Sequence, residues 1–197
     1  MSKGKFLVFC AMLVSSYAFA SPSFDCTKVV ESSIEQLICN DDKLSALDRK
    51  LSANFKEAGT KVESKNQATL KAMQRGWIKG RNDCWKNSDQ RQCVIDSYQM
   101  RISELQAEYG LVKSSGSSAY ICTDDEESPI EVTYFLSEIP TAKAKRGEQL
   151  SLMYGHADAN GMVYKGPNET LSVYGEKISV SWGYDSPLVP CKLIGGK

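Results

Sequence analysis

The chain has 197 residues, 24 of them basic and 24 acidic, with one histidine and seven cysteines, and 42% of it is apolar. The charges form no basic stripe, which excludes a nucleic-acid surface. They are unevenly spread: residues 21–113 hold 15 basic and 13 acidic groups and residues 114–197 hold 7 and 11, so the second half suits a cationic partner.

The first twenty residues carry Lys3 and Lys5, an apolar run from Phe6 to Val14, and an Ala18-Phe19-Ala20 ending. This is the layout of a secretory signal peptide, with cleavage expected before Ser21, and the apolar run is too short for a bilayer span. Cys10 lacks the small residues that a lipoprotein cleavage site needs before it, so no lipid anchor is expected. No later segment is long or apolar enough to be transmembrane, and the expected location is periplasmic or secreted.

Residues 21–110 read as a helical domain. A short helix is expected from about Lys28 to Ile38. Leu44, Leu47, Leu51, Phe55, Ala58 and Val62 then recur every three or four residues, as do Ile95, Tyr98, Ile102, Leu105 and Tyr109, giving two amphipathic helices. Between them Ser64 to Gln67 reads as a capping box opening a helix that carries Leu70, Met73, Trp77 and Trp85 inward. Gly76 and Gly80 inside that helix each cost about 1 kcal/mol against alanine, which points to close backbone packing there.

Six cysteines follow the expected cleavage site: Cys26, Cys39, Cys84, Cys93, Cys122 and Cys191. An even count in an exported chain predicts disulfides, and no C-x-x-C spacing supports a metal. If residues 27–38 form one helix, Cys26 and Cys39 lie about 18 Å apart, beyond disulfide reach. Antiparallel helix packing then pairs Cys39 with Cys84 and leaves Cys26 for Cys93.

Residues 111–118 are Ser/Gly-rich and read as a linker. From residue 119 to 197 the period becomes two. Short runs such as "IEVTYFL", "QLSLMY", "ETLSVYG" and "KISVSWGY", separated by turn residues, predict a small antiparallel barrel or sandwich. Cys122 and Cys191 would staple its ends. Asn160-Gly161 signals a hairpin of type I′, which requires positive φ at both positions. His156 has no acidic or cysteine partner placed for catalysis and reads as a solvated loop residue. With no nucleophile and base, metal set, cofactor signature or placed carboxylate pair, the chain reads as a non-enzyme without cofactors.

Two resemblances sharpen this reading. "DC" at 25–26, "IEQLIC" at 34–39, "LSALDRKL" at 44–51, "QRGWIKGRNDC" at 74–84 and "CVIDSYQMRISEL" at 93–105 resemble the helical domain of LprI-type lysozyme inhibitors. "YIC" at 120–122, "IEVTYF" at 130–135, "ADANGMVY" at 157–164, "LSVYGEKISVSW" at 171–182 and Cys191 resemble the C-type (MliC/PliC-like) lysozyme inhibitors of bacterial envelopes. The implied architecture is α+β in two separate domains: an antiparallel helical domain with disulfides and a small antiparallel eight-stranded β-barrel. The implied partner is a lysozyme or related muramidase.

In that second family two loops enter the lysozyme cleft, one through a Ser-Gly-x-x-Tyr segment and one through a Trp-x-Lys-Gly segment whose ammonium meets the catalytic carboxylates. The matching positions are Asn160, Gly161 and Tyr164 for the first loop, and Ser172, Tyr174, Gly175 and Glu176 for the second. Asn160 stands in the serine slot, Ser172 in the tryptophan slot and Tyr174 in the lysine slot. A phenol is uncharged at neutral pH, so either inhibition here works by plugging and hydrogen bonding, with Lys165 and Lys177 as the nearby charges, or the target differs from a C-type lysozyme. The alternative is a non-inhibitory envelope module that binds another protein or a glycan.

Overall fold

The structure, a computed structural model, describes residues 21–196; the expected signal peptide, its cleavage site and Cys10 lie outside the described residues. Four helices come first: α1 (Ile34–Cys39), α2 (Asp42–Lys61), α3 (Gln67–Asn82) and α4 (Gln90–Glu108). Side chains of Ser33, Asp41 and Asp89 cap α1, α2 and α4 by accepting from the backbone N–H three residues on, satisfying donors the helix cannot satisfy itself. Leu44, Leu47, Leu51, Leu70, Ile95, Tyr98, Ile102 and Leu105 form the core, each aliphatic side chain contributing roughly 1.5–3 kcal/mol by burial. No helix among the described residues is long and apolar enough to cross a membrane.

Several expectations are corrected. Residues 27–38 do not form one helix: a 3-10 turn at Cys26–Lys28 is followed by extended chain and only then by α1. The break folds the segment back, bringing Cys26 and Cys39 to a Cα separation of 5.9 Å and a disulfide. Cys84 bonds Cys93 across the turn between α3 and α4, so the expected Cys39–Cys84 and Cys26–Cys93 pairs are both wrong. The capping box does not form either. Ser64 already sits in a 3-10 turn, and Gln67 instead sends its amide N–H back to the carbonyls of Gly59 and Val62 at the end of α2. Met73 and Trp85 are exposed, whereas Trp77 is half-buried edge-on against Tyr98. Gly76 and Gly80 have nothing within 4 Å of a would-be Cβ, so close packing does not explain them.

Eight antiparallel strands follow: β1 (Ser114–Cys122), β2 (Asp125–Phe135), β3 (Thr141–Arg146), β4 (Gln149–Ala157), β5 (Met162–Lys165), β6 (Glu169–Tyr174), β7 (Lys177–Trp182) and β8 (Val189–Gly196). Each pairs with the next, and β8 returns to β1 to close a barrel. The Ser/Gly run expected as a linker is strand from Ser114 onward, paired to β2 through Ser118↔Val132 and to β8 through Ser118↔Gly196. Period-two burial of Ile130 and Val132, Ala142 and Ala144, Met153, and Ile178 and Val180 marks the inward face. Cys122 and Cys191 are register partners and form the expected disulfide.

The two units are bonded together. The backbone N–H groups of Glu138 and Ile139, in the β2–β3 connection, donate to Gln106 Oε1 at 2.8 Å and Ser103 Oγ at 2.7 Å on α4. Lys50 pairs with Glu138, and Lys143 with Glu108 at 3.1 Å. The second half of α4 is therefore covered on two sides, which buries Arg101, Ser103 and Gln106 besides the apolar Ile102 and Leu105.

Candidate functional site

Strand register puts the β4–β5 turn and the β6–β7 turn side by side on one barrel rim, because Ala157 pairs with Met162, Met162 with Val173, and Tyr174 with Lys177. The first turn, residues 158–161, is built on Asp158. Its Oδ1 accepts from the backbone N–H of Asn160 at 2.7 Å and of Gly161 at 3.0 Å, an Asx turn that holds the loop without help from other elements. The Asp158 N–H donates to the Gly161 carbonyl at 2.9 Å. This is a four-residue loop and not the expected type I′ hairpin: among the described residues, positive φ outside glycine occurs only at Ser32 and Asp185.

The second turn is two residues, Gly175-Glu176, with Gly175 at φ +63°, a left-handed backbone that glycine adopts without steric cost. Two contacts join the turns. The Tyr174 hydroxyl donates to Asp158 Oδ2 at 2.6 Å. Gly161 lies so close to β6 that a Cβ there would sit 2.3 Å from the Val173 carbonyl oxygen and 3.1 Å from Tyr174 Cδ1. The hydrogen bond from Tyr174 holds the Asp158 carboxyl below its usual range, and the same bond raises the Tyr174 phenol above its own.

Asn160, Gly161, Tyr174, Gly175 and Glu176 thus meet at the rim. Tyr164 and Ser172 do not join them. Tyr164 is 8% exposed and packs inside the barrel, tilted against Tyr134 at 5.4 Å between ring centroids. Ser172 is 6% exposed on β6, between Val163 and Ser179 of the neighbouring strands. Gly155 makes room for the Tyr164 ring, since a Cβ there would meet Tyr164 Cε1 at 2.8 Å.

Of the two nearby lysines, Lys177 is exposed at the rim directly opposite Tyr174, whereas Lys165 is exposed at the far end of β5. His156 is exposed at the end of β4. Sequence reasoning missed Asp158, the residue that organises both turns; its position two residues before Asn160-Gly161 is the Asx-turn signal that could have found it. No group of three or more His, Cys, Asp or Glu among the described residues could hold a metal ion.

The class defined by these features is a disulfide-bonded helical unit packed on a closed eight-stranded barrel that carries a stitched pair of hairpins at one rim. Residues 26–105 match the family model described as "Lysozyme inhibitor LprI". The chain is 36% identical over 86 residues to proteins named "Lipoprotein LprI" from Mycobacterium tuberculosis and Mycobacterium bovis, an alignment covering 44% of this chain and 42% of theirs. The match therefore spans less than half the length of these curated relatives. No solved structure matches.

Proposed function

We propose that this chain is an exported inhibitor of lysozyme or a related muramidase, and that the hairpin pair at 158–161 and 174–177 is its contact surface. The observation that carries the reading is the junction of the two segments at one rim, in a chain whose helical half matches a lysozyme-inhibitor family. The three disulfides fit an oxidising, extracytoplasmic compartment.

The chemistry at the tip is that of a neutral donor. Tyr174 already donates to a carboxylate, Asp158, so meeting a carboxylate of a muramidase cleft exchanges one acceptor for another and inserts no new positive charge. Asn160 adds an amide, and Lys177 supplies an exposed ammonium beside the phenol. Leu136, on the β2–β3 connection of the same rim, adds exposed apolar surface.

The test titrates the oxidised protein against C-type, G-type and I-type lysozymes and reads residual activity. Inhibition of at least one type, lost in Tyr174→Ala and on shortening of residues 157–164, is the expected result. Undiminished inhibition in both variants would reject the rim. The absence of a lysine from the Tyr174 slot favours a second reading, a non-inhibitory envelope module; a calorimetric complex that leaves every lysozyme fully active would select it.

A further inference from the structure

The helical unit contains a cleft of about 600 Å³ between the segment 23–30 and helices α2 and α3. It is held in shape by the chain itself. The Cys26–Cys39 disulfide ties the segment to α1, and the Ser23 N–H donates to Asp48 Oδ2 at 2.6 Å. Beneath it runs a buried polar chain. Arg81, 4% exposed, donates through Nη2 to Glu35 Oε1 at 2.6 Å and through Nη1 to the Tyr98 hydroxyl at 2.8 Å, and that hydroxyl donates to Asp48 Oδ1 at 2.8 Å. Burying such a network is no advantage to stability over apolar packing of the same shape, so its presence under an open cleft calls for another use.

The lining selects the class of ligand. Both of its cations are paired, Arg81 with Glu35 and Lys28 with Asp25 at 3.2 Å, while the Asp48 carboxylate meets the neutral donors of Tyr98 and Ser23. An anion would find no unpaired cation, and both oxygens of the buried Asp48 already accept, so what the lining offers a ligand is hydrogen bonds. Two planar polar groups remain open. Among the described residues Glu35 Oε2 accepts no hydrogen bond, and Gln74, whose Oε1 is held by Arg101 Nε at 3.1 Å, donates none from its amide N–H group. Gln74 shares its face of α3 with Trp77 and Ile78, and Phe24, Val30 and Phe55 complete the apolar lining. Aromatic and aliphatic lining beside planar donors and acceptors matches a ring that is apolar on its C–H face and hydroxylated at its edge.

We propose that this cleft binds a neutral pyranose saccharide, with the sugar face on the Trp77–Phe55 side and its hydroxyls on Glu35 and Gln74. The site is separate from the barrel rim and does not depend on the inhibitor reading.

The test offers cellotriose, maltotriose and chitotriose to the oxidised protein, read by saturation-transfer NMR and calorimetry. At least one should bind, with a Kd of about 1 mM. Glu35→Gln should weaken binding about tenfold. Val30→Arg alters a residue that is 74% exposed at the cleft and leaves the core intact; it should abolish binding with an unchanged circular dichroism spectrum. Tyr174→Ala should leave it untouched. Failure of all three sugars to bind at ~10 mM, or undiminished binding by Val30→Arg, overturns the proposal. So does a result in which the sugars fail and Val30→Arg weakens a lysozyme complex, since the cleft would then be a protein contact.

Discussion

Substituting Gly161 by alanine tests close approach at the rim, on a backbone whose φ of +157° already disfavours a side chain. The new Cβ would stand 2.3 Å from the Val173 carbonyl oxygen, which is backbone of β6 and has no rotamer to escape into. Reaching ordinary contact requires the β4–β5 turn to lift by about 1 Å, and overpacking of this kind costs typically 1–3 kcal/mol. For a chain of this size 2 kcal/mol lowers Tm by about 4–8 °C. The same movement draws Asp158 away from the Tyr174 hydroxyl, so inhibition should fall more than stability. Gly147→Ala is the control: its φ of +58° is also left-handed, but nothing lies within 4 Å of its Cβ and it sits in the β3–β4 turn at the opposite rim. It should lose about 1–2 kcal/mol and keep full inhibition. Thermal melts and lysozyme titrations of both variants are the assay. A Gly161→Ala protein that melts with the wild type, or that melts early yet inhibits fully, would refute the close-packed hairpin pair as the working surface.

Three further outcomes are expected. Because the folded Asp158 carboxyl lies below its ordinary value of 3.8, the latch to Tyr174 is fully present above that value and is lost as pH falls through the lower folded one; the Gly161 amide resonance followed between about pH 5 and pH 1 should report it, and Tyr174→Phe should shift the midpoint upward. Peptide mapping without reduction should recover Cys26–Cys39, Cys84–Cys93 and Cys122–Cys191. Removing the last, whose cysteines are 69 residues apart, should cost the most, on the order of 4 kcal/mol against about 3 kcal/mol or less for the shorter loops. Ser103→Ala strips the acceptor from the Ile139 N–H and should destabilise by about 1–3 kcal/mol, seen as faster amide exchange at Ile139; unchanged exchange would show that this bond does not hold the two units together.

What the sequence made legible follows the periodic signals. The 3.6-residue spacing from Leu44 to Ala58 and from Ile95 to Leu105 corresponds to α2 and α4, and alternation located most of the barrel strands, because burial on one face writes itself directly into the pattern. Errors came where a local rule met a tertiary exception. Treating residues 27–38 as one helix excluded a Cys26–Cys39 bond that the break before Ile34 makes natural. Trp85 was expected inside as a continuation of the helix that carries Trp77, yet it lies in the 3-10 turn after α3, stays exposed and has Lys86 above its ring at 5.5 Å. The Ser/Gly run 114–118 has linker composition but becomes strand because both neighbours, β2 and β8, offer it backbone partners. At the rim, matching positions one by one named Tyr174 and Gly161 as candidates and passed over Asp158, whose bonds to both turns depend on their being adjacent in space.

The position of the helical unit bears on how the rim would be used. The β2–β3 connection leaves β2 at Phe135 and enters β3 at Thr141, opposite Tyr154 near the end of β4, and so lies on the same rim as the two hairpins. It is this connection that α4 grips through Ser103 and Gln106 and α2 through Lys50. A target seated on Tyr174 and Asn160 would approach a rim whose neighbouring loop is fixed by the helices. Ordering that loop in advance removes a conformational cost that binding would otherwise carry. The family match in the helical half and the hairpin pair in the barrel then bear on one surface, and loosening α4 should reduce rim binding although no α4 side chain would touch the target.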